Sequence, residues 1–128
     1  MKLSRCSLLA AAMFGAVAVA LGAFGAHALH GVLDEQALGV WHTAVDYQFR
    51  HALALLAVGV LARPRADATL RWAAIAFSIG MLAFCGSLYA LALGAPRFVG
   101  AITPLGGAAF IIGWLALALH AWRDRLRA

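Results

Sequence analysis

Charge vanishes from this chain in three long runs. Cys6 to Ala26, Trp72 to Pro96 and Phe98 to Trp122 carry no Asp, Glu, Lys or Arg, and His120 alone interrupts the last of them. Each reaches the ~20 apolar residues that a helix needs to cross a hydrocarbon core about 30 Å thick. A fourth span is encoded less directly. After His51 only the eleven residues Ala52 to Ala62 precede Arg63. At 1.5 Å per residue they cover about 16 Å, roughly half of the core. The second helix must therefore continue back through His42–His51, with its polar residues inside the membrane. The pattern predicts spans over about residues 7–26, 43–62, 72–93 and 102–121.

The fold class that follows is all-α: an integral membrane bundle of four transmembrane helices in one domain, residues 1–128. Composition agrees, with 65% hydrophobic and 12% charged residues against roughly half and a quarter in soluble domains. The net charge of +5 raises the question of nucleic acid, and its distribution answers it. Lys2, Arg5, Arg63, Arg65, Arg71, Arg123, Arg125 and Arg127 all fall on one side of a four-span chain, leaving Arg50 and Arg97 towards the other. That is the positive-inside pattern, which places both termini in the cytoplasm and accounts for the basic excess without a nucleic-acid partner.

Lys2, Arg5, the first apolar run and the "AHA" at Ala26–Ala28 imitate a secretory signal with a cleavage site. The run is longer than a signal core of 7–15 residues, so the first span is expected to stay. Cys6 lies before that span and Cys85 inside the third, a separation that no disulfide bridges.

Candidate chemistry concentrates in the outer third of each span. Asp46 and Arg50 stand four apart on the second helix and so share a face, with His42 one turn above; Tyr47 and His51 form a second such pair on the adjoining face. Charges at this depth normally face a bundle interior or a partner. The pair is either a structural ion pair that fixes helix register or part of a ligand site. Gln48, Ser87, Tyr89 and Thr103 add polar groups, while Gly22, Gly25, Pro104, Gly106 and Gly107 suit close helix packing. Facing one another, these positions would form a polar pocket near the outer leaflet. Gly22 and Gly25 are read as the place where the first span admits the polar face of the second, with His27 and His30 capping the contact. A short amphipathic helix is expected near Asp34, with Leu33, Ala37, Leu38 and Trp41 along the interface. Trp72, Trp114 and Trp122 are assigned to interfaces or packing, and His120 to the cytoplasmic end.

Three function classes fit. The first is a non-enzymatic small membrane protein, a homo-oligomer or an accessory subunit of a larger complex, with the lipid bilayer as its constant partner. The second is a transporter or channel-like module using Asp46 and Arg50. The third is a metal or cofactor site, for which H-x-x-H at His27 and His30 is a weak candidate; no cofactor is expected. No nucleophile–base grouping, P-loop or dinucleotide fingerprint is present, so the chain reads as no enzyme and has no catalytic residues to name.

The segments "LGAFGAHAL", "WHTAVDYQFRHALALL", "GSLYAL" and "TPLGG" followed by "GW" resemble, in order and over nearly the whole chain, the domain-of-unknown-function 423 family of small bacterial inner-membrane proteins. A eukaryotic transmembrane protein 256 group is similar. The resemblance implies a four-helix protein of the plasma membrane. It implies no activity and carries over no catalytic residue.

Overall fold

The structure, a computed structural model, describes residues 2–126; Arg127, counted above among the cytoplasmic cations, lies outside them. Four helices account for nearly all of these residues: α1 (Lys2–His27), α2 (Glu35–Leu61), α3 (Ala68–Ala92) and α4 (Ile102–Arg125). Three segments, Lys2–His27, Ala68–Ala92 and Arg97–Arg125, are long and apolar enough to cross a membrane. The last adds a single 3-10 stretch, Arg97–Ala101, to the front of α4.

Helix ends follow local chemistry. Asp34 caps α2, its carboxylate accepting the N–H of Ala37 at 2.7 Å and so satisfying a donor that has no partner within the helix. Helix α3 ends in a Schellman motif. Gly94 takes φ +94°, and the N–H groups of Gly94 and Ala95 return to the carbonyls of Leu91 and Ala90, closing the carbonyls a helix terminus leaves open. Pro104 falls in the first turn of α4, where a missing N–H removes nothing.

Helix α2 departs from expectation. The amphipathic segment near Asp34 and the second span are one unbroken helix of 27 residues. Trp41 does not lie along the interface; it is buried at 3% exposure, because Gly25 of α1 leaves a slot for it. A Cβ on Gly25 would sit 2.6 Å from the indole ring. In that slot the Trp41 N–H donates to the carbonyl of Leu21 at 2.9 Å.

Helix α1 packs chiefly on α2 and α4 chiefly on α3, while α2 and α3 meet between them. The main core lies along this central contact: Leu55 and Val58 of α2, Leu70, Phe77, Met81 and Cys85 of α3, and Phe110 of α4 are all below 5% exposed. Two grooves flank it. One, about 320 Å³, lies between α1 and α3 with Gln48 at its base; the other, about 680 Å³, lies between α2 and α4. A π-helical turn, Met81–Cys85, interrupts α3, and the Ser87 hydroxyl lies 2.9 Å from the carbonyl of Phe84 in that turn and 2.6 Å from the hydroxyl of Thr103 in α4.

At the other end, His120 is a tie between helices rather than a headgroup contact. Asp67 caps α3, its Oδ1 accepting from the Leu70 N–H and the Thr69 hydroxyl at 2.9 and 2.6 Å, and its Oδ2 accepts from His120 Nδ1 of α4 at 2.9 Å. Burial would raise the pKa of the Asp67 carboxyl, but the bonds from Thr69, Leu70 and His120 outweigh it and hold the group below its ordinary 3.8. The folded chain therefore prefers the carboxylate and the unfolded chain binds the extra proton. The contribution is complete above pH ~4 and is lost as pH falls below the ordinary carboxylate range. Thermal melting in detergent is expected to hold from pH 7 to 5 and to drop below about 4, and Asp67→Ala should lose about 1 kcal/mol of cap stability at pH 7 together with most of that drop. An unchanged acid limb in the variant would show that another group carries it.

Candidate functional site

Helix α2 turns two polar groups inward along neighbouring strips of its surface. Gln48 points between α1 and α3, its amide donating to the carbonyl of Phe14 and accepting the hydroxyl of Tyr89, both at 2.9 Å. The Tyr89 ring meets the Trp41 indole edge-on, centroids 4.7 Å apart. Gln48, Tyr89 and Trp41 thus form one polar seam joining three helices in the upper half of the molecule.

His51, three residues on, points towards α3 and α4. Its Nδ1 faces the carbonyl of Tyr47 at 2.7 Å, and its Nε2 receives the Trp114 indole N–H at 3.2 Å. A carbonyl only accepts and an indole only donates, so the ring is neutral with its hydrogen on Nδ1. It stacks on Phe110, centroids 3.6 Å apart and planes within 11°, and Tyr47 and Phe77 flank it at 5.8 Å each. The frame is reciprocal: Phe110 of α4 lies over Gly80 of α3, and Phe77 of α3 over Gly113 of α4. A Cβ on either glycine would come within 2.6 Å of the facing ring. With both ring nitrogens engaged, His51 holds helices together and offers no free lone pair to a metal.

The charged pair is elsewhere. Asp46 and Arg50 form an ion pair at 3.9 Å with side chains 64% and 68% exposed, and His42 is exposed above them. The expectation that they face the bundle interior is therefore corrected. Two residues along a helix is about 200° of rotation, so turning Gln48 inward turns Asp46 out. For the same reason α1 does not meet the charged face of α2. Gly22 lies against Val45, with a Cβ there 3.2 Å from the valine methyl, and Gly25 against Trp41. Gly106 lies against the backbone of Phe84, while Gly107 makes only ordinary contact with that ring. Pro104 lines the α2–α4 groove beside Tyr47 and Arg50.

His27 and His30 are exposed at the end of α1 and cap nothing; among the described residues no three metal-ligating side chains come together. The residues expected near the outer leaflet thus split into three inward contacts, Gln48–Tyr89, His51–Trp114 and Ser87–Thr103, and one outward pair. Trp114 takes the packing role among the two open to it, and its specific partner, His51, is what the sequence left unnamed. A signal was present: Trp114 lies nine residues before Arg123, or about 14 Å, close to the depth of His51 counted from Ala62, and Phe110 stands one turn away on the same face.

A family model described as "Protein of unknown function (DUF423)" matches residues 21–107, which take in Gln48, Tyr89, Ser87, Thr103, His51 and the outward pair. The chain belongs to the DUF423 family. Relatives align over most of both chains. A UPF0382 membrane protein of Bacillus subtilis is 45% identical over 109 residues, covering 82% of this chain and 86% of its own. One from Staphylococcus haemolyticus is 43% identical over 107 residues, covering 84% and 87%. The UPF0382 inner membrane protein YgdD of Escherichia coli is 38% identical over 120 residues, covering 94% and 92%. No solved structure matches. For this DUF423 member the comparisons and the apolar helices agree on a membrane protein, and the residues that distinguish it chemically all lie on α2 and its neighbours.

Proposed function

We propose that this DUF423 protein is a non-enzymatic component of a membrane assembly, either a homo-oligomer or a subunit beside other chains, in the bacterial inner membrane. On this reading all four helices cross the bilayer and both termini are cytoplasmic. Helix α2 is as long as the helices beside it, and the basic residues gather at one end of the set.

The observation that carries the reading is the outward Asp46–Arg50 pair. Arg50 lies fifteen residues from Glu35 and eleven from Leu61, about 22 and 16 Å along the helix, near the middle of the membrane. Two charges there are costly in lipid, and their own pairing at 3.9 Å leaves both about two-thirds exposed. A second protein surface supplies the missing partners. The transporter alternative lacks comparable support: the inner half of the central contact is closed by Ala54, Leu55, Val58, Ala73 and Phe77.

Native mass spectrometry of protein extracted from its own membrane tests this. Wild type should appear in a complex heavier than one chain. Asp46→Ala should reduce that complex at least tenfold while changing the monomer's melting by less than about 0.5 kcal/mol, as expected for a surface position. Exchanging the charges in Asp46→Arg/Arg50→Asp should restore part of the complex if the partner is a second copy carrying the same exchange, and none of it if the partner is another chain. A wild-type monomer, or a complex indifferent to Asp46→Ala, would overturn the proposal.

A further inference from the structure

A second feature lies at the other end of α1. Lys2 and Arg5, on the first two turns of α1, come together with Arg63 from the turn after α2, nearly sixty residues away in sequence, around a groove of about 710 Å³. Leu8 and Leu9 continue the same groove along α1, and no acidic side chain lines it. The convergence is built by tight packing at the helix crossing. The Ser4 hydroxyl donates to the carbonyl of Gly59 at 2.7 Å, and Leu8 seats on Gly59, where a Cβ would come within 2.9 Å of the leucine.

We infer that this groove binds an anionic phospholipid of the membrane in which the protein sits, its phosphate between Lys2, Arg5 and Arg63 and an acyl chain along Leu8 and Leu9. The argument is complementarity at two depths. Three cations without a counter-charge among the described residues, at the polar end of a helix pair, call for an anion. The leucines lie about one to two turns deeper, roughly 5–10 Å, where a diacyl phosphate continues into hydrocarbon and a free phosphate ends. Leu9 is 59% exposed, so an acyl chain reaches it from the bilayer. This inference rests on the reading that α1 and α2 both cross the membrane, but it does not depend on the assembly role of Asp46 and Arg50.

Phosphatidylglycerol titrated into the full chain in neutral detergent, followed by native mass spectrometry, tests it. Phosphatidylglycerol should be retained well above phosphatidylcholine. Arg63→Gln and Arg5→Gln should each weaken retention about fivefold, the effect of one cation near an anionic surface, while Arg125→Gln at the end of α4 should leave it unchanged. Arg63 lies in an exposed turn, so its variant keeps the fold. Three results would overturn the inference: equal retention of phosphatidylcholine, an Arg125→Gln loss as large as that of Arg63→Gln, or displacement of the lipid by millimolar inorganic phosphate. The same spectra read copy number, so loss of lipid selectivity from an intact complex sinks this inference alone, and a lipid-loaded monomer sinks the assembly reading alone.

Discussion

Gly106→Ala should destabilise the protein in detergent by about 3 kcal/mol, at the upper end of what overpacking costs. A Cβ at this position would collide with the backbone of Phe84 itself, within 2.7 Å of its Cα, rather than with the end of a movable side chain. The backbone of α3 there belongs to the π-helical turn, so the only relief is to move α4 outward. That displacement would also stretch the hydrogen bond between Ser87 and Thr103. Gly107→Ala is the control, since its nearest neighbour would be 3.8 Å away; it should change stability by no more than about 0.5 kcal/mol. Buried Cys85, in the same turn, reports the opening directly once exposed Cys6 is replaced by serine: maleimide labelling should start at a lower temperature in Gly106→Ala. Identical labelling curves for the two alanine variants would show that the helices are not in backbone contact at this level.

His51→Ala is expected to cost about 3 kcal/mol, within the usual range for truncating a large core side chain. It removes a ring packed between Tyr47, Phe77 and Phe110 and deprives the Trp114 indole of its acceptor. His51→Phe separates the two effects. It restores the ring but not the hydrogen bonds, and bonds between membrane helices contribute about 0.6 kcal/mol on average, so it should recover most of the loss. Thermal denaturation in detergent measures both. If phenylalanine destabilises as much as alanine, the hydrogen bonds and not the stack hold the three helices together. An alanine variant as stable as wild type would mean that the site is loosely packed.

Much of this architecture is legible in the amino-acid order. The uncharged runs locate three helices, and counting the eleven residues from Ala52 to Ala62 shows that the second helix must run back through the polar segment His42–His51, as it does. What cannot be read is rotation. Asp46, Gln48 and His51 follow one another within six positions, and any one of them could face inward on composition alone. The choice is made by long-range partners: the slot that Gly25 opens for Trp41 fixes α2 against α1, and that contact turns Gln48 in and Asp46 out. Small residues were legible as packing sites only as a class. The sequence singles out Gly22, Gly25, Gly106 and Gly107, whereas Gly59, Gly80 and Gly113 hold closer contacts than Gly107 does, because a glycine's meaning depends on what stands opposite it. The tie between Asp67 and His120 joins residues 53 apart, and neither position differs locally from an ordinary cap or an ordinary interfacial histidine.

That tie has a mechanical consequence. Helices α3 and α4 are connected at one end by the short 93–101 segment and clasped at the other by Asp67 and His120, with Phe110 and Phe77 interlocked between. They form a hairpin shut at both ends, which leaves the α1–α2 pair as the second piece. The two pieces touch mainly along the α2–α3 line, with His51 reaching across to Phe110 and Trp114 of α4, and the grooves lie on opposite flanks of it. Any rocking about that line is a see-saw: it widens the groove beside Gln48 as it narrows the one beside Arg50, so whatever fills one groove sets the width of the other.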